Sequence, residues 1–462
     1  MRYVSTRGDT VPMPFSQAVL TGLAPDGGLL VPERFPDVAD KLDAWRELSY
    51  VELAQEIFRL YVDDIPAADL DAIVADAFTA FDHPDIVPLV DLGDFKVLEL
   101  FHGPTLSFKD VALQTLGRVF DYLLGKSGQH LNIVGATSGD TGSAAIYGVR
   151  GRENLSIFVL YPNGGTSALQ ELQMTAVPDA NVHCLAIDGS FDDCQSILKS
   201  TFGDLAFKAR HRLGAVNSIN WARVLAQMSY YVHVCLRSEG PAVFAVPTGN
   251  FGNIFAAIAV RGMGVPIGRF VLATNDNDIL ARFFRTGVYR RGAVHQTISP
   301  SMDIQVASNL ERFLWLRFGR NPERVKRFMA EFATSGEAAV VDGKGVDDSV
   351  DAVAVAETDT RTAMRDIHRR YGYVADPHSA VGIEAARRVA SKTPDGTKPV
   401  CIATAHPAKF PDAVIEAIGS SARDAARHPR LDCLDAASAR RAVLPADIEA
   451  VKNYIGDHAS RQ

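Results

Sequence analysis

Apolar residues in the first part of the chain recur at the spacing of a helix. The segment 48–61 places Leu53, Ile57 and Leu60 four and three residues apart, which is the pattern of an amphipathic helix. A second helical stretch follows near 67–81, and His83 with Pro84 then breaks the pattern. The pattern predicts a small, mainly helical unit at the N-terminus.

Short apolar runs alternate with helical stretches from about residue 97 onward. The runs lie at 131–136, 156–161, 181–187, 242–246, 269–274 and 399–404, and the helical stretches begin near 141, 166, 192 and 254. The runs do not alternate apolar with polar residues, so each predicted strand is expected to be covered on both faces. This order predicts an α/β protein with largely parallel sheets.

The composition is that of a soluble globular protein. Of 462 residues, 47% are hydrophobic and 22% are charged, and a prior of ~150 residues per domain suggests about three domains or lobes. The formal net charge of -8 argues against nucleic acid or an anionic membrane as the main partner. No apolar run approaches the ~18 residues of a membrane-spanning helix. The first residues lack the apolar core of a signal peptide, so the predicted location is cytoplasmic.

The cysteines predict neither disulfides nor a metal site. They are five in number and widely spaced, and no Cys-x-x-Cys pair occurs among Cys184, Cys194, Cys235, Cys401 and Cys433. This distribution argues against a disulfide framework and against a thiolate metal centre. We expect reduced, structural thiols and no bound metal.

A glycine-containing corner at 247–253 follows the predicted strand at 242–246. Its two glycines, Gly249 and Gly252, let the backbone approach an anion, and exposed amides at a helix N-terminus can hold a phosphate without lysine or arginine. The Walker and Gly-x-Gly-x-x-Gly patterns are absent, which weakens a nucleotide interpretation. A plain glycine turn between strand and helix is the alternative.

Two further corners carry polar residues at strand ends. Thr137, Ser138, Asp140 and Thr141 surround a helix N-terminus, where hydroxyls, amides and the helix dipole suit a carboxylate ligand. Simple helix capping is the alternative. Thr404 ends another predicted strand, where its hydroxyl could bind a heterocycle nitrogen; a helix-capping or core threonine is the alternative.

Lys109 enters a helix that follows the segment 102–108. An amine must be deprotonated to form an imine, and both a helix N-terminus and partial burial favour the neutral form. In isolation the same lysine is also consistent with a solvated surface residue.

Taken together and in order, these segments resemble threonine synthase of the longer bacterial and fungal type. The similarity rests on 3–8, 22–29, 102–110 (His-Gly-Pro-Thr-x-x-Phe-Lys-Asp), 136–142 (Ala-Thr-Ser-Gly-Asp-Thr-Gly), 247–253 and 403–410. It covers nearly the whole chain except the last ~40 residues. The resemblance implies a fold-type II enzyme dependent on pyridoxal 5'-phosphate (PLP), similar to the tryptophan synthase β subunit. It also implies two open twisted sheets flanked by helices.

The resemblance also implies the site residues. Lys109 would carry PLP as an imine, and Thr404 would meet the pyridine nitrogen. The cofactor phosphate would be held by Gly249, Asn250, Phe251, Gly252 and Asn253. The substrate carboxylate would be held by Thr137, Ser138, Asp140 and Thr141. The substrate phosphate would be held by Asn217, Ser218 and Arg223.

The implied reaction is the last step of threonine biosynthesis, in which O-phospho-L-homoserine and water give L-threonine and phosphate. Lys109 would serve as the general base at Cα. Shorter relatives and dehydratases have asparagine where this chain has Asp140, and a carboxylate cannot donate a hydrogen bond unless it is protonated. The role of Asp140 therefore stays open.

Two alternative functions stay open, and the chain is expected to divide into four parts. A PLP-dependent phosphohomoserine lyase or a serine/threonine dehydratase is the alternative enzyme, and a non-catalytic PLP-binding regulatory protein is the alternative of another class. The predicted parts are an N-terminal helical unit (1–90), a smaller α/β domain with the imine lysine and the carboxylate loop (91–235), a larger α/β domain with the phosphate loop (236–420) and a C-terminal tail (421–462).

Overall fold

The computed structural model describes residues 1–137, 139–340, 346–392 and 397–460. Its first part is mainly helical, as predicted. The elements are β1 (Tyr3–Ser5), α1 (Phe15–Thr21), β2 (Leu30–Pro32), α2 (Leu42–Trp45), α3 (Tyr50–Tyr61) and α4 (Ala67–Phe78). Ser49 and Glu52 form a reciprocal capping box at the start of α3, which fixes where that helix begins.

The next part of the chain alternates strands with helices. It comprises β3 (Leu89–Asp91), β4 (Lys96–Glu99), α5 (Lys109–Ser127), β5 (Leu131–Ala136), α6 (Asp140–Val149), β6 (Leu155–Pro162), α7 (Ala168–Thr175), β7 (Val182–Asp188), α8 (Phe191–Gly203), α9 (Leu205–Arg210), β8 (Leu213–Gly214) and α10 (Trp221–Leu236). Every residue of β6 is buried, as its apolar run at 157–161 predicts.

The rest of the chain adds further helices and strands. They are β9 (Ala242–Pro247), α11 (Gly252–Arg261), β10 (Ile267–Thr274), α12 (Ile279–Thr286), β11 (Val288–Arg290), α13 (Leu310–Arg317), α14 (Pro322–Ser335), β12 (Glu337–Ala339), β13 (Val350–Ala354), α15 (Glu357–Tyr371), α16 (Pro377–Arg388), β14 (Val400–Ala403), α17 (Pro411–Ile418), α18 (Pro429–Asp432), β15 (Ala442–Pro445) and α19 (Ile448–His458). Short 3-10 turns at Pro300–Met302 and Pro407–Lys409 lie between them.

Two large sheets organise the described residues, beside the two-stranded pairs β1-β2 and β11-β12. The larger has the strand order β13-β10-β9-β14-β4-β3 and the smaller β15-β7-β6-β5-β8. Pairing within them is parallel except between β3 and β4. This confirms the predicted α/β class. Within the described ranges no helix has the length and apolar character needed to cross a membrane.

Two strand pairs cross the expected divisions of the chain. β3 and β4 belong to the larger sheet although they precede α5, and β15 from the expected C-terminal tail adds to the edge of the smaller sheet beside β7. Residues 442–445 alternate between partial burial and exposure, so this edge strand has no long apolar run that would reveal it. Val451 and Ile455 of α19 then pack into the core of the smaller sheet.

Helix α10 is buried along its whole length, and it packs against α3, α5 and α11. A helix that is covered on all sides is apolar around its whole circumference, so the polar residues it does carry stand out. Arg223 lies in its first turn.

Candidate active site

Strand ends from both sheets meet at one cleft. β9 runs into the segment 247–253, β14 into Thr404, and β5 into the loop before α6. Ligands of open α/β sheets bind at such carboxyl ends. The predicted site residues that line the cleft are Lys109, Asp140, Thr141, Ser218, Arg223, Gly249, Asn250, Phe251, Gly252, Asn253 and Thr404. The fold thus brings together residues that the sequence separates widely, and their individual roles stay predictions.

A closed turn seats Lys109 at the first residue of α5. The Asp110 carboxylate accepts hydrogen bonds from the backbone N–H of Thr105 (2.8 Å) and from its hydroxyl (2.7 Å). A Cβ atom at Gly103 would lie 2.4 Å from the Asp110 Cβ, so only glycine fits there. Burial raises the pKa of Asp110 to about 6, although the hydrogen bonds from Thr105 act against this. The residues of the His-Gly-Pro-Thr-x-x-Phe-Lys-Asp motif therefore fix the position of Lys109 at the start of α5.

Lys109 is buried in a site that favours its neutral form. The residue is 8% exposed, and its Nζ lies 3.4 Å from Oδ2 of Asp140. Burial is the main influence and lowers the pKa of Lys109; Asp140 opposes it, while the positive charges of Lys409 and Arg223 reinforce it. The neutral amine is the nucleophilic and basic form of lysine, so the site prepares it for either role.

Asp140, the first residue of α6, stays ionised in spite of its burial. Burial alone would raise the pKa of this carboxyl, but Lys409, and after it Lys109, hold that pKa well below its usual range. Nζ of Lys409 lies 3.2 Å from Oδ1 of Asp140. A negative charge at a helix N-terminus is also favoured by the helix dipole. The cleft therefore contains a carboxylate that faces the amine of Lys109.

The N-terminus of α11 is built to receive an anion. Phe251 precedes it in the left-handed conformation (φ 63°), and no side chain of the described residues caps it. Oδ1 of Asn253 accepts hydrogen bonds from the hydroxyls of Tyr230 (2.7 Å) and Tyr231 (2.6 Å). Its Nδ2 is buried and has no partner within the described ranges. Free N–H groups and a held amide donor are what a phosphate requires.

We expect Gly249→Ala to disturb this phosphate corner. The new Cβ would lie 2.8 Å from the backbone oxygen of Ser301, which forces the 3-10 turn at Pro300–Met302 to move. Such overpacking should lower the free energy of unfolding by about 1–3 kcal/mol. Urea unfolding with and without inorganic phosphate measures both stability and anion binding.

Gly240→Ala is the matched control for this variant. A Cβ at Gly240 would meet no atom within 4 Å, and the residue is exposed. Equal unfolding midpoints and equal stabilisation by phosphate in the two variants would show that Gly249 is not needed for close approach.

Arg223 points an unpaired guanidinium into the same cleft. Its Nε and Nη1 atoms are buried and have no hydrogen-bond partner in the part of the chain that the structure describes. Burial lowers the pKa of Arg223 to about 10, so the group is still charged at neutral pH. A buried charge without a partner is costly, and a second anion in the cleft would relieve that cost.

Two predicted neighbours of Arg223 are placed differently from each other. Ser218 lines the cleft, with its hydroxyl 2.7 Å from that of Ser308. Asn217 does not line it, and Oδ1 of Asn217 accepts a hydrogen bond from the backbone N–H of Ile219 (3.2 Å). The structure therefore brings Ser218, but not Asn217, to the cleft wall.

Thr137 shapes the loop before α6. Its hydroxyl accepts hydrogen bonds from the N–H groups of Gly139 (3.1 Å) and Gly142 (3.0 Å). It does not line the cleft, unlike Thr141. Ser138 lies outside the described residues. Of the predicted carboxylate loop, Asp140 and Thr141 thus reach the cleft.

Thr404 is fixed from both sides of its peptide. Its N–H donates to the Ser379 hydroxyl (3.1 Å), and its carbonyl accepts from the N–H of Phe108 (2.8 Å). Ser379 in turn donates to Asp376, the N-cap of α16. A backbone hydrogen bond between Phe108 and Thr404 therefore links the end of β14 to the start of α5.

Sequence analysis missed several polar residues at or beside this cleft, among them Ser301, His378 and Lys409. Ser301 donates its N–H to Nε2 of His378 (3.2 Å) and its hydroxyl to Oδ2 of Asp140 (3.2 Å). Ser301 and His378 line the cleft, and Lys409 contacts Asp140 from behind. The flanking sequences of Ser301 and His378 carry no local signal. Lys409 lies within the 403–410 segment that supported the resemblance, which is the one signal that pointed to it.

Comparison with known proteins shows which families and structures this chain resembles. Family models match over residues 2–78 (threonine synthase N terminus), 90–325 (pyridoxal-phosphate dependent enzyme) and 379–455 (threonine synthase, C-terminal). Threonine synthase of Pseudomonas aeruginosa is 43% identical and covers 100% of this chain and 99% of its own. The PLP-bound threonine synthase structure from Brucella melitensis is 42% identical with a TM-score of 0.92, covering 99% of both chains. The yeast threonine synthase structure is 39% identical with a TM-score of 0.95, covering 100% of this chain and 99% of that chain.

Proposed function

The chain belongs to the threonine synthase family of fold-type II PLP enzymes, and we propose that it converts O-phospho-L-homoserine and water to L-threonine and phosphate. One observation carries the proposal. The cleft holds two separate sets of unsatisfied donors, the Asn253 amide at the start of α11 and the guanidinium of Arg223. One phosphate on the cofactor and a second on the substrate would satisfy both sets.

The residues present fit PLP. The buried, unpartnered amide of Asn253 and the uncapped start of α11 suit its phosphate. Lys109 would carry the cofactor, and the Thr404 hydroxyl would face its ring nitrogen. PLP supplies an electron sink for the substrate when it is bound. The other residues that would hold its phosphate are Gly249, Asn250, Phe251 and Gly252.

The residues of this chain would then orient the substrate and move its protons. The uncharged amine of Lys109 would take the proton from Cα and act again at Cβ, which one flexible side chain can reach. Arg223, with Ser218, would hold the departing phosphate because a guanidinium fork matches phosphate oxygens. Asp140 is ionised and cannot donate a hydrogen bond, so its effect would be electrostatic. Thr141 would contribute to the substrate carboxylate site.

The two sheets would form the centres of two lobes, with the substrate bound in the cleft between them. The divisions at residues 91, 236 and 421 stay predictions, and the placement of β3, β4 and β15 argues for a description by sheet rather than by chain segment. The cytoplasmic location likewise stays a prediction.

Product analysis tests the proposal. The PLP-loaded protein is incubated with O-phospho-L-homoserine, and phosphate, threonine and 2-oxobutyrate are quantified. We expect one threonine for each phosphate released. Phosphate matched by 2-oxobutyrate would instead identify a lyase on the same scaffold. A folded, PLP-loaded protein that releases no phosphate would favour a non-catalytic regulatory role.

A further inference from the structure

A second lysine lies buried behind the site and has no assigned task. Lys409 ends the 3-10 turn Pro407–Lys409 and is 3% exposed. Its Nζ donates to the carbonyl of Thr105 (2.9 Å) and to Oε1 of Gln173 (2.5 Å), and it lies 3.2 Å from Oδ1 of Asp140. Two neutral acceptors and one carboxylate thus fix an ammonium group at this point.

The two carboxylate oxygens of Asp140 face different surroundings. Oδ2 lies toward the cleft, where it contacts Nζ of Lys109 (3.4 Å) and the hydroxyl of Ser301 (3.2 Å). Oδ1 lies away from the cleft, where it contacts Nζ of Lys409 and, at 3.2 Å, the amide of Gln170. Asp140 is therefore held between two lysines, only one of which lines the cleft.

We propose that Lys409 is a positioning residue that supplies a counter-charge to Asp140 from outside the cleft and so leaves Lys109 free to be an uncharged amine. The inference deepens the proposed function, because it rests on the role given there to Lys109. When Lys109 is neutral, Asp140 and Lys409 still form a closed pair of opposite charges. If Lys409 were absent, Asp140 would be a buried carboxylate whose remaining nearby ammonium is Lys109. An unpaired buried charge is unfavourable, so Lys109 would be held in its charged form.

The other charged groups near Asp140 and Lys409 either also disfavour a charged Lys109 or are paired with neighbours of their own. The charged and titratable groups that face this pair are Lys109 and Asp110 from α5, Arg223 from α10 and His378 from α16. Arg223 and Lys409 both disfavour a charged Lys109, and burial disfavours it more. Asp110 is satisfied by Thr105, and His378 is paired with Asp376 through Nδ1 (2.9 Å). Lys409 is thus the cation placed directly against Asp140 on the side away from the substrate.

The test is the pH dependence of cofactor loading. The full-length protein is stripped of cofactor, and the rate at which it recombines with PLP is followed by absorbance between pH 6 and 10. Lys409→Met should move the midpoint upward by about one unit, which makes loading about tenfold slower below the midpoint. Lys409→Gln, which keeps hydrogen bonding but not charge, should shift it in the same direction. Lys398→Met, at an exposed lysine paired with Asp91, should leave the midpoint in place.

Asp140→Asn should shift the pH midpoint of cofactor loading in the opposite direction. It removes the attraction for a charged Lys109 but keeps the repulsion from Lys409, so the midpoint should fall. This arm tests the premise that Asp140 attracts a charged Lys109, and it can contradict the inference even if the Lys409 variants do not fold. A Lys409 variant with a lower melting temperature but an unchanged midpoint, or an Asp140→Asn midpoint that stays or rises, would overturn the inference. Loading requires no substrate, so a wild-type protein that loads PLP but makes no threonine contradicts only the proposed reaction.

Discussion

Lys109→Ala is expected to lower turnover of O-phospho-L-homoserine by about 10^3-fold or more, since it removes the only amine that lines the described part of the cleft. General acid–base catalysis alone contributes about 10^2- to 10^4-fold, and the variant also loses the attachment of PLP. Phosphate release measures the first effect. Reduction with borohydride followed by mass spectrometry measures the second, because only the wild-type protein should gain the mass of the cofactor.

Lys126→Ala is the matched control on the same helix. Its side chain is 67% exposed and lies 3.9 Å from Asp69, a surface pair of little energetic value. Both turnover and cofactor attachment should stay at the wild-type level. If Lys109→Ala retained a tenth or more of wild-type turnover, the role of essential base would pass to another amine, and the buried Lys409 would be the first to examine.

The local chemistry of Lys109 could be predicted from sequence because its signal is contiguous. Gly103, Thr105 and Asp110 lie within a few residues of the lysine, and the structure joins them in one turn. The buried strands were predictable for a similar reason. β5 begins and ends at the predicted residues 131 and 136, since a mainly apolar run without alternation, here interrupted by the buried Asn132, favours a strand covered on both faces.

The counter-charges and the sheet edges could not be predicted in this way. Asp140 and Lys409 are far apart in sequence, and neither has a neighbour that reveals the pairing. β15 is short and half exposed, and its position is set by the open edge of β7 rather than by its own pattern. Sequence reasoning therefore finds the residues that act through local structure and misses those whose partners come from tertiary contacts.

Arg223 was indicated by the sequence, but only the structure shows that two of its nitrogens are buried without partners among the described residues. Its replacement is expected to raise stability and to lower activity. Leaving a buried donor unsatisfied costs about 1–3 kcal/mol. Arg223→Met keeps the length of the side chain and removes this cost, so the PLP-loaded, substrate-free protein should become more stable by about 1–2 kcal/mol.

The same substitution should damage function. Losing a buried charge that binds the substrate phosphate costs about 2–5 kcal/mol, so kcat/KM should fall by about 30- to 5,000-fold, with much of the loss in KM. Inorganic phosphate should raise the melting temperature of the wild-type PLP-loaded protein, since it binds the folded form, but not that of the variant.

Arg237→Met, just beyond the other end of α10, is the control for both signs. This arginine is exposed and donates to the carbonyl of His233 (3.2 Å). It should change neither stability nor kcat/KM appreciably. A loss of stability in Arg223→Met would mean that the guanidinium is satisfied in the free protein, and an unchanged KM would remove Arg223 from the substrate phosphate site. A gain in stability together with a loss of affinity is the result that identifies a charge kept unpaired for its ligand.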